Sequence, residues 1–158
     1  MLYTGREDPA DPFTASIGLA TSNDGAHWER ANVVPTGSAE GENRPVLAPA
    51  EDALVQTGID HPTLTWDPAL QLYRLWYVFR EGSEFSIYHA IADSEGRRWF
   101  TFPGNPVLRP ASATWCDDRY LDGPAALQDP SGLLRLWYHG RSETMGHAIC
   151  YAVNSFGE

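Results

Sequence analysis

Cysteine is scarce in this chain. The two present, Cys116 and Cys150, form no Cys-x-x-Cys pair and stand at no His/Cys ligand spacing. Neither a zinc site nor a disulfide framework is therefore expected, and no metal or cofactor motif stands out. Basic residues are also in short supply, with 11 Lys and Arg against 21 Asp and Glu for a formal net charge of −10. Such a surface repels phosphate backbones and anionic lipid, which argues against nucleic acid and membranes as partners. Apolar runs stay short of the ~18 residues that a transmembrane helix needs. The opening Met1-Leu2-Tyr3-Thr4-Gly5-Arg6 has neither the basic start nor the apolar stretch of a signal peptide, and no compartment is assigned. No segment sustains a 3.6-residue apolar period, so no helix is placed.

What the chain does contain is a high density of aromatic residues and turn formers. Six Trp and seven Tyr accompany fourteen Gly and twelve Pro in 158 residues. That is a folded chain with enough apolar surface for a core, cut into short segments in the manner of an all-β protein.

An internal repeat organises these segments. Pro45-Val46-Leu47 recurs as Pro106-Val107-Leu108, and Leu75-Trp76-Tyr77 as Leu136-Trp137-Tyr138, both at an offset of 61 residues. Asp60, Pro62 and Asp67-Pro68 recur at 62 as Asp122, Pro124 and Asp129-Pro130. A partial copy stands at the front, where Tyr3-x-x-Arg6 matches Tyr77-x-x-Arg80 and Tyr138-x-x-Arg141. Ile17, Ala20 and Gly25 likewise match Ile87, Ala90 and Gly96, then Ile149, Ala152 and Gly157. In the complete middle copy, Ile59–Trp66, Leu72–Phe79 and Ser86–Ala92 read as strands, and Pro106-Val107-Leu108 as the start of a short fourth. Trp99 is expected to pack behind the Asp93–Gly96 turn.

Four antiparallel strands repeated at this length define a propeller blade. The expected fold is thus all-β, a β-propeller of four-stranded antiparallel blades with about two and a half blades present. Residues 1–158 form one partial domain, with an incomplete blade over 1–50, a complete one over 51–110 and an incomplete one over 111–158. The front copy lacks its innermost strand and the last copy its outermost, a total of ten strands. Open sheet edges are a liability. The expectation is accordingly a piece of a longer protein, or a chain that self-associates through its open blade edges.

Blade topology sorts residues between two faces, because successive strands run up and down. The Asp67-Pro68 and Asp129-Pro130 turns fall on one face with Ser22–Gly25 and Asp93–Gly96. Asp60 and Asp122, at the entry to innermost strands, fall on the other, with Arg6, Arg80, Arg141, His61, Trp115, Asp117, Asp118 and Arg119. Carboxylates, guanidinium groups and aromatic rings converging in this way suit a sugar, whose ring faces stack and whose hydroxyls hydrogen-bond. The two Asp residues read equally as turn caps. The Tyr-x-x-Arg repeat also reads as blade packing or a repeated ion pair. Trp28, Trp66, Trp76, Trp99 and Trp137 are expected in the core, and His89, His139 and His147 as strand residues pairing with neighbours.

These residues resemble those of the five-bladed propeller glycosidases, the superfamily of arabinanases, β-xylosidases, invertases and levansucrases. The likeness rests on Leu-Trp-Tyr followed by Ser-Ile-x-x-Ala-x-x-x-x-x-Gly, on Asp60-His61-Pro62 and Asp122-Gly123-Pro124, and on Pro-Val-Leu at the blade ends. Ser22-Asn23-Asp24-Gly25-Ala26-His27-Trp28 also resembles a shortened sialidase Asp-box. The resemblance implies a glycoside hydrolase acting on an oligo- or polysaccharide through inner-strand carboxylates, here Asp60 and Asp122. His61, Arg80, Trp115, Asp118, Arg119 and Arg141 are the candidate substrate contacts. Asp122 stands where many members carry an acidic Glu in Glu-Gly-Pro, and this shorter side chain leaves two alternatives open. One is a non-catalytic carbohydrate-binding propeller, the other a structural or assembly module.

Overall fold

The computed structural model describes residues 1–6, 10, 15–31, 46–48, 57–111 and 116–154. Trp115 and much of the first unit lie outside the described residues. Among the described residues ten strands are present: β1 Leu2–Arg6, β2 Ala15–Thr21, β3 Glu29–Arg30, β4 Thr57–Asp67, β5 Leu72–Glu81, β6 Glu84–Ala92, β7 Trp99–Thr101, β8 Tyr120–Gln128, β9 Leu134–Ser142 and β10 Gly146–Asn154. No helix occurs among the described residues. The strands form three antiparallel meanders, β1-β2-β3, β4-β5-β6-β7 and β8-β9-β10, as the repeat requires.

The central sheet is buried on both faces, which explains why β5 reads as an almost unbroken apolar run, Leu-Trp-Tyr-Val-Phe. Alternation sends Leu75 and Tyr77 toward the first sheet, where they pack with Ile17, Val46, Ile59, Ala90, Ala92 and Trp99. It sends Trp76 toward the last sheet, where with Ile87 it meets Cys116, Leu121, Leu134, Tyr138 and Cys150. At ~25 cal/mol per Å² of apolar surface, these two layers are the main force holding the sheets together.

Local turn chemistry repeats with the strands. The Asp67 carboxylate accepts from the amides of Ala69 and Leu70 (3.1 and 3.0 Å) and from Arg74 Nη2 (2.9 Å). Asp129 does the same with Ser131, Leu133 and Arg135. Trp28 and Trp99 each turn an indole N–H back onto the carbonyl of Gly25 or Gly96 (3.0 and 2.8 Å). Both glycines lie in the left-handed region, φ 75° and 67°, which other side chains adopt only with strain.

Three expectations are corrected. The fourth strand of the middle unit is Trp99–Thr101, and Pro106-Val107-Leu108 is a strap that returns to β6. Ile87 donates its amide to the Leu108 carbonyl and accepts from Val107, both at 2.9 Å. Leu47 bridges Ile17 in the same way, so the repeated tripeptide marks a closure of the blade edge. The tryptophans divide: Trp76 and Trp99 are buried, whereas Trp28, Trp66 and Trp137 are exposed because their faces meet no further sheet among the described residues.

The third correction concerns the cysteines. Cys116 and Cys150 form a disulfide, with Cα atoms 6.2 Å apart, an ordinary separation for the bond. The loop before β8 crosses β9 at Gly140, where an added Cβ would stand 2.5 Å from Cys150 Sγ and 2.6 Å from the Cys116 carbonyl oxygen. The middle unit has Phe79 and Tyr88 at the repeat positions of Gly140 and Cys150, with ring centroids 4.7 Å apart. A covalent bond therefore stands in the last unit where an aromatic pair stands in the middle one.

Candidate functional site

Two copies of one backbone device make the site. Strand pairing slips between Asp60 and Thr63 on β4, and between Asp122 and Ala125 on β8. The residue after each Asp is left-handed, His61 at φ 50° and Gly123 at φ 49°. A proline follows in both copies, tolerated because a bulge needs no ladder donor there. Each carboxylate curls back onto the amide that follows it, His61 N to Asp60 Oδ1 at 2.8 Å and Gly123 N to Asp122 Oδ1 at 2.9 Å. The Asp residues do cap their turns, and the bulge also aims them toward the same region.

Their surroundings differ. Asp60 is buried, 3% exposed. It also accepts from Thr4 Oγ1 at 2.8 Å, Arg6 Nη2 at 2.8 Å and Arg80 Nη2 at 3.1 Å. Burial alone would raise its pKa. The hydrogen bonds from Thr4 and the His61 amide, the His61 charge and Arg6 outweigh that effect and hold the carboxyl below its ordinary value. The Asp122 side chain is 22% exposed and accepts from His61 Nδ1 at 2.8 Å. Burial pushes its pKa up as well, but the His61 hydrogen bond and charge prevail, so it too is held low.

His61 stands between the two. Its Nδ1 lies 2.8 Å from Asp122 Oδ1 and 3.7 Å from Asp60 Oδ1, so those oxygens are separated by no more than the sum of the two distances. The Asp122 hydrogen bond raises the imidazole pKa, against the opposing effect of burial. A non-glycine residue at positive φ costs on the order of 1–3 kcal/mol and persists where its surroundings hold it.

Aromatic rings and cations extend from this centre. The Arg80 guanidinium carbon lies 4.9 Å from the Phe85 ring centroid, Phe85 lies 5.3 Å from Tyr120, and the Arg141 guanidinium lies 5.8 Å from Tyr120. His139 and His147 stack beside Tyr120, with His147 Nδ1 2.8 Å from His139 Nε2. Asp60, His61, Asp122 and Arg80 are thus brought together, and Arg141 joins them through Tyr120. Asp118 and Arg119 turn instead to the β9–β10 turn, where Asp118 accepts from the Glu143 amide and Arg119 pairs with the Glu143 carboxylate. Thr4, Phe85 and Tyr120 complete the site without having been singled out from sequence. Thr4 lies two residues before Arg6, and Phe85 pairs with Arg80 across the β5–β6 hairpin, so the hairpin register was the available signal. Among the described residues, no group of three or more His, Cys, Asp or Glu is arranged to hold a metal.

The architecture is that of a partial β-propeller, with its acidic site on two adjacent innermost strands. Three solved structures that match this fold carry titles from carbohydrate chemistry. One titled "Glycoside hydrolase" matches with a TM-score of 0.66 at 16% identity, over 98% of this chain and 40% of its own. An N-acetylgalactosamine deacetylase from F. plautii, in complex with blood group B trisaccharide, matches with a TM-score of 0.65 at 18% identity over 90% of this chain and 42% of its own. Fructan 1-exohydrolase IIa from Cichorium intybus matches with a TM-score of 0.61 at 17% identity over 98% and 29%. The chain thus spans less than half the length of these three structures. No protein-family model matches the sequence, and no curated protein matches it.

Proposed function

We propose that this chain is a glycoside hydrolase-like propeller, or a part of one, that takes a carbohydrate on the face carrying Asp60, His61 and Asp122. The observation supporting this reading is the asymmetry of the two bulged Asp residues. Asp60 is buried and saturated by donors, which suits a carboxylate that orients Arg6 and Arg80. Asp122 is reachable and ionised, which suits a base, a nucleophile or a hydroxyl acceptor. Phe85, Tyr120 and Arg141 beside them offer faces for a sugar ring. Hydrolysis with retention places its two carboxyl groups about 5–5.5 Å apart, and inversion about 6.5–9.5 Å. A second reading, binding without hydrolysis, is favoured by the low pKa of Asp122, since a carboxyl that stays ionised is a poor proton donor.

Aryl glycosides and plant and host oligosaccharides, assayed for released reducing sugar and by calorimetry, distinguish the two. If the protein hydrolyses a substrate, Asp122→Asn is expected to lower kcat by about 100-fold or more, in the range of lost acid–base catalysis. Full activity of that variant would overturn the catalytic assignment. Calorimetric binding of a sugar without its hydrolysis selects the second reading, and neither binding nor hydrolysis overturns both.

A further inference from the structure

The bulge that carries Asp60 holds a side chain where its repeat copy holds none. His61 occupies the left-handed position of β4, φ 50°, and Gly123 the same position of β8, φ 49°. Glycine adopts that backbone without a steric cost, whereas a residue with a side chain is strained there. The histidine is nonetheless fixed at two points. Its amide donates to Asp60 Oδ1 at 2.8 Å, and its ring Nδ1 lies 2.8 Å from Asp122 Oδ1. Nε2 is left as the ring nitrogen available to a ligand. It enters no hydrogen bond among the described residues, and the side chain is 45% exposed. A carboxylate that fixes one ring nitrogen and leaves the other open suits an imidazole that transfers protons.

The hydrolytic reading above lacks a proton donor. Both oxygens of Asp60 are occupied, Oδ1 by Thr4 and the His61 amide, Oδ2 by Arg6 and Arg80. Asp122 is held ionised by the His61 hydrogen bond and charge. The charged groups that face His61 are Asp122 on β8, Asp60 on its own strand and Arg80 on β5, while Arg6 on β1 is taken up by Asp60. The Asp122 hydrogen bond and the two carboxylate charges hold the imidazole above its ordinary value, against burial and the Arg80 charge.

We infer that His61, through Nε2, is the proton donor to the leaving oxygen of the bound glycoside, and that Asp122 orients its ring. The inference rests on the hydrolytic reading and supplies the acid which that reading lacks. The bond from the anomeric carbon to the leaving oxygen breaks with its electron pair on the oxygen, which takes the Nε2 proton. The neutral ring keeps its Nδ1 proton toward Asp122. Water forms the new bond to the anomeric carbon and its surplus proton passes to solvent, from which Nε2 is then reprotonated.

Phenyl, 4-nitrophenyl and 2,4-dinitrophenyl glycosides of one sugar are the probes, because each added nitro group lessens the need of the leaving oxygen for a proton. His61→Asn removes the donor and keeps a residue that tolerates the left-handed backbone. It should lower kcat/KM by about 100-fold or more on the phenyl glycoside and by less than about 3-fold on the 2,4-dinitrophenyl one. In the wild type, kcat/KM on the phenyl glycoside should fall as pH rises through the His61 titration followed by NMR in the free protein. That limb should be absent with the 2,4-dinitrophenyl glycoside. The wild-type profiles carry the test even if His61→Asn fails to fold. An equal loss across the series, or a limb that does not coincide with the His61 titration, would overturn this inference and leave the hydrolytic reading standing. Hydrolysis of none of the glycosides would overturn both.

Discussion

Replacing Asp60 with asparagine tests what fastens the first sheet to the middle one. Asparagine keeps the size of the side chain and one acceptor oxygen, so Thr4 and the His61 amide retain a partner. Its NH₂ group, however, would meet the donors of Arg6 and Arg80 where a carboxylate oxygen now accepts both. The Arg80 pair carries most of the loss, because the two side chains are only 13% and 4% exposed. Breaking a buried pair costs about 3–5 kcal/mol. The Phe85 ring, 4.9 Å from the guanidinium, remains to offset part of that. The Arg6 side chain is 37% exposed, so solvent screens its contribution to about 0.2–1 kcal/mol. The net expectation is a loss of about 3 kcal/mol at pH 7, a large share of the ~5–15 kcal/mol that holds a domain folded.

Urea unfolding followed by tryptophan fluorescence reads this directly. With an m-value of about 2 kcal/mol/M, the midpoint should fall by roughly 1.5 M while m stays constant. The sign with pH is also fixed. The folded Asp60 carboxyl lies below its ordinary 3.8, so the stability it contributes is full above that value and lost as pH falls through the lower folded one. The gap between wild type and variant should therefore close in acid. Midpoints within about 0.3 M at pH 7 would refute the ion-pair account. A gap that persists unchanged near pH ~2 would also refute it, since the loss would then be steric.

His61→Gly should relieve the left-handed backbone while removing the donor to Asp122, so the Asp122 carboxyl should titrate at higher pH in an NMR titration. The contribution of the His61 pair, under about 1 kcal/mol for a side chain 45% exposed, should be present below pH 6.5 and lost as pH rises through the raised folded value. An unmoved Asp122 would show that the pair has no electrostatic weight. Replacing Cys116 and Cys150 with serine should cost about 3.5–4 kcal/mol for a sequence separation of 34, read as a lower thermal midpoint. Identical melting with and without a reducing agent would argue against the bond.

The features legible in the sequence were those that recur with the repeat. Strand order, the Asp67 and Asp129 turns and the indole-on-glycine turns are local, so each copy carries its own signature in a few neighbouring residues. The Tyr-x-x-Arg repeat pointed to an ion pair, and Arg6 and Arg80 do pair. That both converge on one Asp depends on the packing of sheets 54 residues apart in sequence, which no local pattern encodes. The disulfide was hidden for the same reason, because two lone cysteines acquire meaning only when a loop crosses Gly140. The fourth strand was misplaced because Pro-Val-Leu has strand composition, whereas Trp99-Phe100-Thr101 is short and half exposed. Burial of a tryptophan depends on what covers its face. Trp76 and Trp137 share a repeat position, yet Trp76 is covered by the last sheet and Trp137 is open.

The two Asp residues began with the same bulge, the same curl onto the next amide and the same proline, so their divergence must come from the unit that precedes each one. Asp60 faces the first unit, which supplies Thr4 and Arg6 from alternate positions of β1. Asp122 faces the middle unit, whose residues at those repeat positions are Val78 and Arg80. Valine has no hydroxyl to give. Arg80 turns its Nη2 to Asp60, leaving His61 as the side-chain donor that reaches Asp122. One methyl-for-hydroxyl difference and one shared guanidinium thus suffice to make a buried anchor of the first carboxylate and leave the second partly exposed. In a repeat protein, function need not come from a new motif. It can come from the copy in which a structural motif is left short of partners, and on the reading proposed above that copy is Asp122.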